Sequence, residues 1–222
     1  MRDIRCNGVQ SDGLPSLFYC LENRRLTIYN LTMAKIRTFI AIELPDELKQ
    51  AVDKLIVGLK PFGPEVRWVR AANLHFTLRF LGDIEKDDIV KLGEHMQTHL
   101  SKLPSFKLRL AGLGCFPNLK KPRVVWLGCD GDMEMLKQLA FQVESVCEDV
   151  GFGKADKSFS PHLTIGRIKD PRGLEPLIKR LAAVHFDTQD FKADQVIVFK
   201  SDLSPRGPTY TPLAKIKLAD EK

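Results

Sequence analysis

Two short segments of this chain share the pattern His-x-Thr-φ, where φ is apolar: His75-Phe76-Thr77-Leu78 and His162-Leu163-Thr164-Ile165. Successive side chains of a β-strand alternate between faces. Each histidine therefore shares a face with its threonine, while Phe76 and Leu78, or Leu163 and Ile165, point the other way into a core. Two imidazoles, one neutral and one protonated, form an acid/base pair near neutral pH. Two hydroxyls donate hydrogen bonds to an anion held between them. Together they suit phosphoester chemistry without a metal. A lone strand histidine is more often a hydrogen-bonded structural residue. A motif that recurs 87 residues apart, each time after a loop signal (Ala72-Asn73 and Ser160-Pro161), favours catalysis instead.

The elements that must carry these motifs are readable from periodicity. Ile36, Thr38, Ile40, Ile42 and Leu44 alternate with Arg37, Phe39, Ala41 and Glu43, which reads as a strand. Pro45 and Asp46 open a helix with Leu48, Val52, Leu55 and Leu59 on one side, closed by Pro61-Phe62-Gly63-Pro64. A short strand at 66–69 leads to the first motif strand, 74–81. Then come a helix at 86–102, strands near 106–113 and 123–128, a helix at 132–150 stopped by Gly151 and Gly153, and the second motif strand, 161–168. A short helix at 174–183 and strands near 184–191, 194–201 and 209–218 complete the chain. The second half echoes the first. The expected fold is α+β: two similar lobes, each a mainly antiparallel sheet with helices packed outside, facing a central cleft of the kind that holds ligands. Residues 1–32 show no sustained period. The expectation is a disordered or non-native N-terminal extension before Met33, with 33–222 as a single bilobal domain.

Composition bounds the partners. The excess of 34 Lys and Arg over 28 Asp and Glu, a net charge of +6, favours anionic ligands but lacks the dense basic stripe of a duplex binder. Five scattered cysteines without a C-x-x-C argue against a disulfide framework or zinc knuckle and for a reducing, cytoplasmic setting. No apolar run approaches the roughly 20 residues that span a bilayer. A Gly-rich phosphate loop, a G-x-S-x-G elbow, a dinucleotide fingerprint and H-E-x-x-H are all absent. His95 and His99 sit four apart on a helix, but no Glu or Cys at a characteristic spacing completes a metal site, so they read as a solvated face.

The segments 36–45 (IRTFIAIELP), 73–82 (NLHFTLRFLG) and 161–167 (PHLTIGR) resemble the RNA 2′,3′-cyclic phosphodiesterases, also called 2′-5′ RNA ligases, of the 2H phosphoesterase superfamily. The likeness covers essentially all of 34–222, including Cys115-Phe116-Pro117, Pro122-Arg123-Val124-Val125-Trp126 and 201–208. It implies a positively lined cleft, no metal or other cofactor, and hydrolysis of RNA 2′,3′-cyclic phosphate ends to 2′-phosphates. The implied partners are single-stranded RNA or tRNA fragments with such ends, with no membrane and no obligate protein partner. It implies His162 as base and His75 as acid, although the sequence itself shows the pair and not its polarity. Thr77 and Thr164 are the expected phosphate donors. Arg167 joins them through the resemblance, yet strict alternation puts it on the face opposite His162 and Thr164 unless the strand ends or bulges near Gly166. Arg79, on the His75 face by period two and about 13 Å along the strand, and Phe116 are the candidates for RNA contact. Trp68 and Trp126 read as core. The alternatives are reverse 2′-5′ ligation, a related enzyme for a small cyclic nucleotide, and an RNA- or nucleotide-binding module of the same fold.

Overall fold

A computed structural model describes residues 35–205 and 207–220, and before them only the backbone of Leu21–Glu22 (β1) and Arg25–Leu26 (β2), which pair antiparallel. The expectation for 1–32 otherwise lies outside the described residues. The chain divides into two compact units, Met1–Ala34 and Lys35–Lys222, and both His-Thr motifs lie in the second.

That unit holds strands β3 (Ile36–Glu43), β4 (Val66–Trp68), β5 (His75–Ile84), β6 (Phe106–Phe116), β7 (Val124–Gly131), β8 (Leu163–Ile168), β9 (Phe191–Ala193), β10 (Gln195–Asp202) and β11 (Thr209–Lys217). Its helices are α1 (Asp46–Leu59), α2 (Lys86–Leu100), α3 (Met133–Val150) and α4 (Glu175–Ala183). The strands form two sheets of antiparallel pairs, β11-β10-β3-β5 and β4-β8-β7-β6-β9. The α+β, two-lobed architecture is as the sequence implies, but the lobes are not the two halves of the chain. β4, from the first half, is an edge of the five-stranded sheet, and β10 and β11, from the end of the chain, complete the four-stranded one.

Most element boundaries follow the sequence signals. Asp46 and Glu47 lie in the first turn of α1, where carboxylates complement the helix dipole. Gly151, at φ 102°, caps α3 through its N–H to Cys147 O and Glu148 O, in a left-handed conformation that favours glycine. The strand expected over 184–191 is instead a loop that reaches only a bridge at Asp187 and then β9. Around that bridge Gly112 N–H donates to Phe186 O and Thr188 N–H to Leu110 O, each at 3.1 Å, and polar side chains add to the pairing: Thr188 Oγ1 accepts from Leu110 N–H at 2.9 Å, and Asp187 and Asp190 pair with Arg109.

The four-stranded sheet is apolar on both faces. Ile40, Ile42, Phe76, Leu78, Val196, Val198 and Ile216 join the main core with Leu92, Met96, Leu139 and Val143 of the helices. Each large side chain so buried contributes roughly 1.5–3 kcal/mol relative to exposure. The opposite face carries a separate cluster of Phe39, Ala41, Ile197 and Phe199, with Tyr210 against it. His75 and Thr77 stand on this second face, in register with Glu43 and Ala41. No helix among the described residues is long and apolar enough to cross a membrane.

In the five-stranded sheet Gly114 pairs with Trp126, and the indole lies over the glycine: a Cβ there would sit 2.2 Å from Trp126 Cζ2. Gly114→Ala is expected to cost about 1–3 kcal/mol by overpacking, read as a lowered urea midpoint. An unchanged midpoint would mean that the indole swings aside freely.

Candidate active site

The two motif histidines use one local device. His75 Nδ1 lies 2.8 Å from Asn73 O and His162 Nδ1 2.7 Å from Ser160 O, in each case the carbonyl two residues earlier. A carbonyl only accepts, so Nδ1 carries the hydrogen and Nε2 is left to gain or lose a proton. Thr77 and Thr164 are partly exposed beside them. The loop–strand junction supplies the geometry: His75 is the first residue of β5, and His162 immediately precedes β8.

At the last residue of each motif the ladder gains an extra residue. In β8 the register runs from Trp126↔Thr164 to Val125↔Gly166, leaving Ile165 unpaired, and Arg167 then faces Val124. Val124 and Trp126 share a face of β7, so Arg167 shares the face of Thr164. The bulge that alternation required thus lies at Ile165, one residue before Gly166. Gly166 turns toward β4 at close quarters: a Cβ would meet Val66 Cγ1 at 2.6 Å.

In β5 the register runs from Ala41↔Thr77 to Ile40↔Arg79, leaving Leu78 unpaired. The expectation that Arg79 shares the His75 face is corrected by this bulge, which turns Arg79 to the opposite side. There it is 7% exposed, with Nη1 donating to both carboxylate oxygens of Glu144 at 3.0 Å and Nη2 to Gly153 O at 2.9 Å. Phe80 takes the cleft-side position, opposite Phe39, and is 63% exposed.

His75 sits among aromatic rings: Phe39 at 4.7 Å between centroids, Tyr210 edge-on at 5.1 Å and Phe199 at 6.4 Å. Burial among them pushes its pKa down to about 4, outweighing the Asn73 carbonyl and the Glu43 carboxylate, which favour the cation. Glu43, opposite His75 in the ladder, is itself held by Lys49 Nζ at 2.8 Å. Burial raises the Tyr210 phenol above its ordinary value, while Arg167 and Arg37 pull it back. Arg167 belongs to one sheet and Tyr210 to the other, so the two motif faces lie within electrostatic reach. The loop after β4 ties them further. Val69 N–H donates to Ile165 O at 2.9 Å, while Arg70 Nη2 and Asn73 Nδ2 donate to Pro208 O at 2.8 and 2.9 Å.

Phe116 packs edge-to-face with His162 at 4.9 Å, and 5.3 Å from Trp126. Trp68 is half-buried and packs against the main core, as expected, whereas Trp126 is half-buried on the Thr164 face and lies outside that core. Phe39, Glu43 and Tyr210 belong to no motif that marks them as site residues in the sequence. The available signal was the apolar character of both faces of β3, which requires that each be covered. His95 and His99 are exposed on α2, and among the described residues no three His, Cys, Asp or Glu side chains are grouped to hold a metal ion.

With this geometry in place, comparison with known proteins is specific. Residues 42–126 and 128–210 match the family described as LigT-like phosphoesterase. An RNA 2′,3′-cyclic phosphodiesterase of Methanothermobacter thermautotrophicus is 30% identical over 185 residues, 83% of this chain and 100% of the relative. One from Thermotoga maritima is 34% identical over 176 residues, covering 79% and 91%. Among solved structures, E. coli LigT complexed with 3′-AMP superposes with a TM-score of 0.67 at 28% identity, covering 83% of this chain and 98% of that one.

The His75 environment has a measurable consequence for folding. The unfolded chain protonates this group near 6.5 and the folded one only near 4. The unfolded state therefore binds more protons between those values, and stability falls as pH drops through that window, by up to about 1.4 kcal/mol per pH unit. Between pH 7 and 5, wild type should lose about 2 kcal/mol more than His75→Asn in urea titrations; parallel losses would contradict the shift. Arg79→Ala should cost about 2 kcal/mol, less than the 3–5 kcal/mol of a fully buried pair because Glu144 stays partly exposed. Its kcat/KM should stay near wild type, whereas a large selective loss of activity would return Arg79 to the cleft.

Proposed function

The chain belongs to the LigT-like phosphoesterase family, and from that premise we propose that it opens RNA 2′,3′-cyclic phosphate ends to 2′-phosphomonoesters. Two histidines serve as acid and base, without a metal, within residues 33–222. The observation that carries this reading is the duplicated His-Thr unit: each Nδ1 is locked onto a carbonyl, and a bulge brings Arg167 onto the Thr164 face. The substrate comes from the relatives, which are named for it.

In the proposed reaction the cyclic phosphate lies between the two motifs. Its non-bridging oxygens accept hydrogen bonds from the Thr77 and Thr164 hydroxyls and from Arg167, where negative charge builds in the transition state. Water attacks phosphorus in line with the departing ribose oxygen. A P–O bond to water forms as the P–O3′ bond breaks; His162 Nε2 takes the water proton and His75 Nε2 gives one to O3′. Exchange with solvent restores both histidines. Before substrate binds, His75 is held neutral by burial. The anionic substrate, together with Glu43, must then supply the field that protonates it, so binding is accompanied by proton uptake. Phe116, against His162, borders the space for the terminal base. The unpaired thiols Cys115, Cys129 and Cys147 fit a reducing, cytoplasmic setting.

A short RNA with a 2′,3′-cyclic phosphate end, incubated in EDTA, tests the reaction. Wild type should yield a 2′-phosphate, and His75→Ala and His162→Ala should each lose roughly 10²–10⁴-fold in rate; near wild-type turnover by either variant would falsify the scheme. Polarity is read with a substrate bearing sulfur in place of O3′, which leaves without needing a proton. His75→Ala should recover on it and His162→Ala should not, and the reverse pattern would exchange their roles.

A further inference from the structure

Arg67 and Arg167 stand directly opposite each other across β4 and β8, on the face that carries Thr164. Like charges in that position repel. Arg79, Arg109 and Arg172 each have a carboxylate partner; among the described residues neither Arg67 nor Arg167 has one. Arg70 joins them. Its Nη2 donates to Pro208 O at 2.8 Å, a carbonyl also held by Asn73. Arg67 Nη2 and Arg70 Nη2 each lie 3.6 Å from the point that a Cβ on Gly207 would occupy. Gly207, between β10 and β11, has φ 110°, a conformation that favours glycine, and its bare backbone lets both guanidinium groups approach. The result is a cationic group in which Arg70 is held by Pro208 O and Arg67 lies beside it, one strand outward from Arg167.

We propose that Arg67, supported by Arg70, is a second phosphate site, and that it takes the phosphodiester one nucleotide upstream of the cyclic phosphate. This rests on the reading of the substrate as an RNA 2′,3′-cyclic phosphate end. Arg167 serves the reacting group because it shares the face of Thr164. Arg67 lies one strand farther out, about 4.8 Å away in the sheet, and arginine side chains are long enough to extend that step to the next phosphate of the chain. A guanidinium fork suits a phosphodiester, which offers two non-bridging oxygens side by side. Filling both positions with anions relieves the repulsion between the two arginines. A mononucleotide cyclic phosphate has no group for the outer position, so this site separates oligonucleotide from mononucleotide substrates.

The test is the ratio of kcat/KM for a dinucleotide ending in a 2′,3′-cyclic phosphate to that for a nucleoside 2′,3′-cyclic phosphate, measured for wild type, Arg67→Gln, Arg67→Lys and Arg70→Gln. Wild type should prefer the dinucleotide. Arg67→Gln should lower the ratio about tenfold, mainly through KM, and reduce the salt dependence for the dinucleotide by about one phosphate contact. Arg67→Lys should restore part of the ratio, and Arg70→Gln should lower it less than Arg67→Gln. Equal loss on both substrates would place Arg67 at the reacting phosphate and overturn the proposal, as would an unchanged ratio. Wild type that turns over neither substrate would overturn the phosphodiesterase reading itself, an outcome distinct from failure of the outer site alone.

Discussion

The two-residue period of a β-strand is interrupted directly after each His-Thr unit, at Leu78 in β5 and at Ile165 in β8, and the distribution of charge around the site depends on those interruptions. Arg79 lies four residues after His75, an even step that a regular strand would leave on the histidine face. Arg167 lies five after His162, an odd step that a regular strand would turn away. One extra residue reverses both. The first arginine goes inward to Glu144, where it ties β5 to α3 and to the loop at Gly153; the second goes outward to the face of Thr164. The same local irregularity makes one cation a buried support and leaves the other exposed on the face of Thr164.

The motif is duplicated, but its surroundings are not. Both imidazoles present Nδ1 to a carbonyl two residues back, which fixes tautomer and ring orientation alike. His75 then enters a box of Phe39, Phe199 and Tyr210 beside a carboxylate, whereas His162 meets Phe116. Burial in that box pushes the His75 pKa down to about 4, so two chemically identical groups stand in different surroundings. The box exists because the four-stranded sheet is apolar on its cleft face as well as its core face, an arrangement that serves neither solubility nor the main core.

The lobes are held in relation by exchanged strands. β4 belongs to the sheet of the second motif yet leads directly into the strand of the first, and its loop bonds both to Ile165 and to the turn between β10 and β11. The motif faces are therefore tied by a short stretch of covalent chain and its hydrogen bonds, on top of the single hydrophobic core that both sheets share. This link also carries Arg67 and Arg70, so the segment that fixes the cleft also charges its edge.

Local information was enough to read the helices, most strands, the twin motifs and the two-lobed α+β class, because those depend on apolar period, on turn residues and on side-chain chemistry near in sequence. It failed at 184–191, where a single bridge and polar side chains tie a loop to β6 in place of a full strand. It failed also at Arg79, since a bulge depends on what the neighbouring strand offers and leaves no mark in the period of its own strand. For Arg167 the parity argument located the need for a bulge, and pairing with β7 supplied it. Phe39, Glu43, Tyr210 and Arg67 come beside the motif residues only through strand order, which sets β3, β10 and β11 with β5, and β4 beside β8. The sequence by itself determined which groups are able to do chemistry and which elements hold them. Tertiary structure alone decided which of those groups share a space, because face and register are properties of paired strands and burial is a property of everything packed around them.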